Sequence, residues 1–525
     1  MNNMQYTLKK ISEKKFLIPV ALFIFSYVIL SFNIIGQGAH QDELDFFYAY
    51  SVVYFNLAKE GDFFHPCWNG NGECELLSIE GCEMYDHWIT THGLAKHLLV
   101  GSAILFHGED ITKSYAPKPP LCKPHNQPIP GENIPTNSEL SAARFFSPIL
   151  GSLTVVFAFW IGKIFFNRFT GFAFSIILLF NSLWFAYNRT IMTEAYIYCF
   201  MIFSFLLLLY SFEKKGKIKY FLFFSSAIVF GIAFDTKAII FMFFPLFIST
   251  IFLRNSLKNN FSFREIFEKK RVSKSITISV LYSTILFASI IGTLPFYWIG
   301  PIDQIIFQKE SIDAYSSGMS LHMPWESDSK IHVRLLSTIT VTFAPIIDTY
   351  YYNFVEDIPE SVKFANNFSS IPLMILFVVG ISYLILSIKN KKITGSEFLL
   401  IFWVTSMFLF ISTMTESYST SRFYIMVLIP IIFVAAYGLN KNITHVKNFY
   451  LKIGIFCTAI TAHALTTLVF WKVLFFESDL IWMDPLMIKF QDAIIQPYVI
   501  ISSVIFCILF VSSYIFKKNN LDTKN

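Results

Sequence analysis

The sequence predicts an all-α integral membrane protein with about 12 transmembrane helices, organised as one polytopic domain over residues 1–525. Hydrophobic residues make up 54% of the chain and charged residues only 15%, whereas about a quarter of the residues in soluble domains are charged. The charges are also unevenly placed, because Lys and Arg collect in alternate loops between apolar runs. These two observations exclude an ordinary soluble enzyme.

Twelve apolar runs are candidates for spanning helices, and most have the length of about 20 residues that a bilayer requires. The first is too long for a signal-peptide core and lacks a cleavage site, so we expect a retained helix. The fifth and sixth runs are short, and we expect the Asp235-Thr236-Lys237 hairpin between them to turn at the membrane interface. The runs are 16–35, 145–162, 169–187, 195–212, 220–234, 238–253, 275–298, 370–388, 398–415, 423–440, 453–471 and 493–516.

Loop charges predict how these helices are oriented. With a cytoplasmic N-terminus, the cytoplasmic segments hold 26 of the 41 Lys and Arg but 6 of the 36 Asp and Glu. Their net charge is then +20, against −15 on the other side of the membrane. Cytoplasmic loops of membrane proteins carry such an excess of cations. We therefore predict a multi-pass plasma-membrane protein with both termini in the cytoplasm.

Two long loops are predicted on the extracytoplasmic side, at residues 36–144 and 299–369. Long loops in compact proteins are usually functional or disordered. In the first loop, Phe46–Ala58 and Trp88–Leu105 have the aromatic and apolar content of helices lying at the interface. In the second, the apolar run Leu335–Ile347 is too short to span, and we interpret it as interfacial or re-entrant.

Four of the seven cysteines lie in the first long loop. An even number on the oxidising face favours disulfides, whose pairing the sequence leaves open. Zinc is the alternative, because histidines lie nearby, but the gaps between these cysteines do not fit the usual zinc spacing. The four are Cys67, Cys74, Cys82 and Cys122.

An acidic stretch follows the first apolar run, where Asp42, Glu43 and Asp45 place three carboxylates within four residues. Taken alone, this stretch is also typical of a solvated helix end. Other charged residues border apolar runs on the same predicted face, where charges at membrane depth tend to mark a substrate path. Each one alone is more often a snorkelling or boundary side chain than part of a site. They are Lys96, Arg189, Glu194, Lys237 and Arg422.

Six motifs occur in a fixed order along the chain: Asp42-Glu43, His92-x-Leu94-x-Lys96, Arg144 with Gly151, Arg189-x-x-Met192-x-Glu194, Gly231-x-x-x-x-Thr236-Lys237, and Arg422-x-Tyr424 with Pro430. This series resembles the GT-C glycosyltransferases, and more closely their branch of protein O-mannosyltransferases and 4-amino-arabinose transferases. The resemblance runs from Phe16 to about Leu253, with a second patch at Tyr418–Pro430. Glu194 stands where many members carry Asp.

Enzymes of this kind move one sugar from a polyprenyl-phosphate carrier to an acceptor on the extracytoplasmic side. The resemblance implies Asp42 as the catalytic carboxylate, with Glu43 and Glu194 as further catalytic candidates. It implies a lipid-phosphate site formed by Lys96, Arg189, Lys237 and Arg422. The implied partners are a polyprenyl-phosphate-linked sugar donor, a protein, lipid or glycan acceptor, and membrane lipids, with no nucleic acid. No cofactor is assigned, a divalent metal stays open, and no metal ligand is named.

The residue types fit this chemistry independently. A sugar phosphodiester already has a good leaving group, so the reaction needs a base for the acceptor hydroxyl, which a positioned carboxylate can supply. Arg and Lys stabilise the charge that develops on the departing phosphate. One acidic cluster with several cations therefore suits a single displacement with inversion.

Two other classes of protein stay open. A secondary transporter would also have about twelve spans and charges within the membrane. A non-catalytic assembly partner or flippase of lipid-linked sugars is the other, and oligosaccharide transfer is a further possibility within the enzyme class. A transporter site would lie near mid-span, where His463 is the chief polar candidate. We expect His463 to be a core histidine that bonds a neighbouring helix.

Overall fold

The computed structural model describes residues 16–32, 34, 43, 47–68, 93–113, 135–257, 259, 261, 268–298, 300–306, 371–414, 425–445 and 449–476. The predicted twelfth span, 493–516, the apolar run at 335–347 and nearly all of the second long loop lie outside these residues.

The described part of the chain is helical and contains no strand. Helices satisfy every backbone hydrogen bond within one segment, which lipid demands of a spanning element. Six described helices are long and apolar enough to cross a membrane, and several shorter apolar helices accompany them. The prediction of an all-α integral membrane protein is confirmed.

Fifteen α-helices follow one another among the described residues. They are α1 Leu17–Ser31, α2 Tyr48–Glu60, α3 Leu94–Phe106, α4 Asn137–Ala143, α5 Phe146–Phe165, α6 Arg168–Leu179, α7 Ser182–Tyr187, α8 Thr193–Glu213, α9 Gly216–Thr236, α10 Phe244–Leu253, α11 Lys269–Thr293, α12 Ile371–Lys389, α13 Gly395–Met414, α14 Ile425–His445 and α15 Phe449–Phe476.

The expectation of a short fifth span was wrong, because α9 has 21 residues rather than 15. The predicted run, 220–234, stops at charged residues on both sides, whereas the helix extends beyond it at both ends. Lys217 and Lys219 lie in its first turn, where long cationic side chains reach water. Asp235 and Thr236 form its last turn and are buried. A six-residue 3₁₀ helix then leads into the short helix α10.

The two helices expected in the first long loop are α2 and α3, which pack against each other. Gly101 of α3 faces Phe55 of α2 so closely that a Cβ on the glycine would collide with the ring. Ser51 of α2 also hydrogen-bonds His97 of α3 at 2.9 Å. The pair therefore forms one unit that holds the first turn of α3 in place.

Small residues allow close approach between the spanning helices. Gly162 of α5 meets the backbone of Gly171 in α6, and Gly380 of α12 meets that of Gly438 in α14. Without a strong hydrophobic driving force in lipid, such small-residue contacts are a common means of helix association. In the bundle, α1 and α9 end where α5 and α8 begin, as the hydrogen bonds between Arg189 and Ile29, Ser147 and Tyr196, and Lys237 and Glu194 show.

Candidate functional site

The site is built around a buried ion pair between Glu43 and Arg144. Arg144 Nε donates to Glu43 Oε1 at 2.9 Å, and Nη2 donates to Oε2 at 2.6 Å. Both side chains are almost fully buried. This two-point geometry is the strongest form of carboxylate–guanidinium contact. It links the acidic stretch to the start of α5.

The connection between α7 and α8 also contacts the Glu43 carboxylate. The backbone N–H of Ile191 donates to Glu43 Oε1 at 2.8 Å. Two residues earlier, Arg189 Nη1 donates to the carbonyls of Ile29 and Leu30, at 3.2 and 3.1 Å. The last carbonyls of a helix have no partner within it, so Arg189 satisfies those at the end of α1.

The Arg189 guanidinium is itself buried. Its Cζ lies over the Phe185 ring, 5.3 Å from the ring centroid. Burial is the main cause that lowers the pKa of Arg189 to about 9, and the nearby Arg144 charge lowers it further. The two guanidinium groups and the Glu43 carboxylate are thus brought together in one buried region of the structure.

A second ion pair joins the ends of α8 and α9. Lys237 Nζ lies 3.5 Å from Glu194 Oε1 and 3.5 Å from the Thr193 hydroxyl. Glu194 lies in the first turn of α8, where the helix dipole stabilises a carboxylate. Glu194 is three residues from Ile191, so the connection at 188–192 places this pair next to the Glu43–Arg144 pair.

The end of α9 also fixes the start of α3. Gly93 packs so tightly on Asp235 that a Cβ would collide with the Asp235 carbonyl oxygen. The Asp235 side chain accepts a hydrogen bond from Thr293 of α11. Its other oxygen, Oδ1, has no hydrogen-bond partner among the described residues. One turn into α3, Lys96 Nζ lies 3.1 Å from the centroid of the Phe47 ring.

The structure therefore brings five of the predicted site residues to one end of the bundle: Glu43, Lys96, Arg189, Glu194 and Lys237. Asp42, Asp45 and Arg422 lie outside the described residues, as do Cys74, Cys82 and Cys122. Cys67 is disulfide-bonded to a residue outside them.

Sequence reasoning assigned no role to Arg144 or Asp235. The motif series contains Arg144, and an arginine directly before an apolar run is a usable signal of its role. The sequence predicts Asp235 in an interfacial hairpin, whereas it is a buried carboxylate in the last turn of α9. A carboxylate within a span is by default a functional hypothesis.

His463 of α15 bonds the carbonyl of Ile177 in α6 at 2.9 Å, as expected for a core histidine. Within the described ranges, no group of three or more His, Cys, Asp or Glu side chains is placed to hold a metal ion.

The fold and the buried charges define a polytopic membrane protein with an ionic site at one end of its helix bundle. Residues 110–307 match the family model described as dolichyl-phosphate-mannose-protein mannosyltransferase. The resemblance that the motifs indicated is thereby confirmed, and this part of the chain is similar to that family. Comparison of the sequence with curated proteins finds no match.

Solved structures of low sequence identity also align with the chain. An oligosaccharyltransferase from Archaeoglobus fulgidus, tethered to an acceptor peptide with an NVT sequon, is 12% identical, with a TM-score of 0.49. That alignment covers 88% of this chain and 55% of that one, so this protein spans about half the length of that relative. ArnT from Cupriavidus metallidurans bound to undecaprenyl phosphate is 10% identical, with a TM-score of 0.43, covering 95% of this chain and 76% of that one.

Proposed function

We propose that this protein is a membrane glycosyltransferase that moves a sugar from a polyprenyl-phosphate donor to an acceptor hydroxyl. The observation that carries the proposal is the clamp on Glu43, formed by Arg144 and the Ile191 N–H. The clamp holds the residue next to Asp42, the carboxylate that the motif assigns to catalysis. The match of residues 110–307 to the mannosyltransferase family supports the same reaction class.

The reaction is a single displacement at the anomeric carbon. The acceptor oxygen forms a bond to that carbon while its proton passes to the Asp42 carboxylate, which acts as general base. The bond from the carbon to the phosphate oxygen breaks, and its electron pair leaves with the lipid phosphate. The products are an inverted glycoside and the polyprenyl phosphate, and no covalent intermediate is needed.

Glu43 has a positioning role in this proposal rather than a catalytic one. Both of its oxygens accept hydrogen bonds, and the side chain is buried. These hydrogen bonds engage the Glu43 carboxylate with the protein itself rather than with a substrate. We assign Glu43 the role of holding the chain in place next to Asp42, its neighbour in the sequence. Glu194 acts in a similar way by orienting the Lys237 ammonium.

The cationic residues have two different roles in this proposal: some bind the lipid phosphate, and one holds a helix in position. Lys96 and Lys237 are buried at the site end of the bundle, where a phosphate would meet them with little competing water. We propose that they bind the lipid phosphate together with Arg422. Arg189 contributes positive charge to the same region, and its bonds to the α1 carbonyls hold that helix in position.

The site faces the extracytoplasmic side in this proposal, because the cytoplasmic segments carry the excess of Lys and Arg. Reporter fusions should place Lys215, Lys270 and Asn525 in the cytoplasm, and Asp328 and Glu477 outside. A cytoplasmic signal at Asp328 would contradict this orientation.

The test of function uses the purified full chain in proteoliposomes with a synthetic polyprenyl-phosphate sugar and a set of peptide, lipid and glycan acceptors. Mass spectrometry should detect a glycosylated acceptor and free polyprenyl phosphate in equal amounts. If the donor moves between leaflets while no acceptor is glycosylated, the protein is a transporter or flippase and the proposal is wrong.

A further inference from the structure

A basic pocket lies at the end of the bundle opposite the ionic site. It occupies about 390 Å³ between the end of α8, the start of α9, the end of α10 and the start of α11. Helix α9 separates the two ends, since its 21 residues rise about 30 Å at 1.5 Å per residue. Its cationic lining residues are Lys219, Arg254, Lys270, Arg271 and Lys274.

The charge of this pocket is strongly positive. Five of its lining residues are cationic and only Glu268 is acidic. Glu268 forms an ion pair with Arg271, whose Nε lies 3.0 Å from its carboxylate, and so neutralises one of the five. The cations belong to α9, to the end of α10 and to α11. They therefore surround a common volume and do not form a row along one helix.

Arg254 anchors the inner wall of the pocket. Its Nη1 donates to the Ile251 carbonyl at 2.6 Å and to the Ser275 hydroxyl at 2.9 Å. These bonds connect α10 to α11 and hold the guanidinium in a defined place. A fixed guanidinium with lysines around it, of which Lys270 and Lys274 are exposed, is a suitable arrangement for a phosphate group.

The pocket also has an apolar side. Phe212 and Ile278 belong to its lining, and Ile278 follows Lys274 by one helical turn. Beyond them, Phe221 and Val280 are 69% and 60% exposed on the outer faces of α9 and α11. Large apolar side chains on the outside of a spanning helix face lipid chains. The pocket cations therefore lie next to the lipid-facing surface of α9 and α11.

We propose that this pocket binds the phosphate headgroup of an anionic glycerophospholipid, in the leaflet opposite the candidate active site. The phosphate lies among Lys219, Lys270 and Lys274, and the acyl chains run along the outer faces of α9 and α11. Basic pockets between spanning helices are known sites for anionic headgroups. The proposal is independent of the transfer reaction, since no residue of the ionic site lines the pocket.

The test uses the full chain purified in detergent and transferred into nanodiscs that contain either phosphatidylglycerol or phosphatidylcholine. Native mass spectrometry counts the lipids that stay bound after mild activation. The wild type should retain phosphatidylglycerol in preference to phosphatidylcholine. The double variant K270Q/K274Q should lower the affinity for phosphatidylglycerol by about tenfold or more, because each cation contributes about 1 kcal/mol to such binding.

The matched control is K389Q/K392Q, which neutralises two exposed lysines outside the pocket and should bind lipid as the wild type does. Lys219→Gln tests the pocket from another helix if the double variant fails to fold. Equal retention in all variants would overturn the proposal, since the lipid would then be bound nonspecifically. Binding of glycerol phosphate or of a nucleotide as tightly as the lipid would overturn it too, by identifying a soluble ligand.

Discussion

Glu43 and Arg144 are joined by two hydrogen bonds although 101 positions separate them in the chain. The pair connects the stretch after α1 to the helix that begins at Phe146, and both side chains are buried. A bidentate pair restricts both position and orientation. The residue next to Glu43 in the sequence is Asp42, the proposed base.

Loss of Arg144 should destabilise the protein strongly. Arg144→Met leaves the Glu43 carboxylate buried without its guanidinium, and breaking one partner of a buried pair costs about 3–5 kcal/mol. The melting temperature in detergent, followed by tryptophan fluorescence, should fall accordingly. The double variant E43Q/R144M should be more stable than R144M alone, because no buried charge is then left uncompensated. A double variant as unstable as the sum of both single variants would show that the two residues act independently.

Asp42→Asn should lower turnover by about 10² to 10⁴, the usual worth of general-base catalysis. The amide keeps the shape of the side chain and removes its basicity, so donor binding and the melting temperature should stay near the wild-type values. Asp45→Asn is the control and should be far milder. If Asp45→Asn abolishes transfer while Asp42→Asn leaves it intact, the motif is displaced by one turn and the assignment of the base is wrong.

Lys237→Ala and Arg422→Ala should each weaken binding of the donor lipid as well as turnover. A hydrogen bond to a charged group contributes roughly 1.5–3 kcal/mol, so the dissociation constant should rise by about tenfold or more. Titration with a fluorescent polyprenyl phosphate measures it. Lys163→Ala removes a cation at the other end of α5 and should leave donor affinity unchanged. Unchanged affinity in both site variants would mean that these cations only anchor helix ends.

Gly93→Ala should disturb the site through sterics alone. The added Cβ would collide with the Asp235 carbonyl oxygen, so the start of α3, and with it Lys96, must move. Transfer activity and the melting temperature should both fall. Gly454→Ala in α15 is the matched control, since its Cβ would meet open space and alanine favours a helix by about 0.8–1 kcal/mol. Equal effects of the two substitutions would disprove the steric explanation.

The disulfide of Cys67 should have its partner within the first long loop. Peptide mapping of unreduced protein is expected to find Cys67 linked to Cys74, Cys82 or Cys122, because all four cysteines belong to one predicted extracytoplasmic loop. Reduction should lower the melting temperature, since removing a native disulfide typically costs about 2–5 kcal/mol in a small secreted domain. A Cys67 link to Cys507 would contradict this expectation.

The fold was largely predictable, because its elements correspond to local patterns. The apolar runs at 195–212 and 275–298 contain most of α8 and α11, since a helix in lipid must satisfy its own backbone. The boundaries of α9 were not predictable by the same rule. Lys219 and Asp235 border the apolar run 220–234, yet the helix includes both. The neighbours of a residue in space, which composition does not contain, decide whether a charged residue can belong to a span.

The sequence by itself determined the membrane class, the position of most long apolar helices and the residue types of the candidate site, because each depends on hydropathy or on motifs read along the chain. Only the tertiary structure decided how those residues are paired. Glu43 meets Arg144 and the Ile191 N–H, and Lys237 meets Glu194. Residues that are 101 or 148 positions apart share no local pattern, and helix packing alone brings them within hydrogen-bond distance.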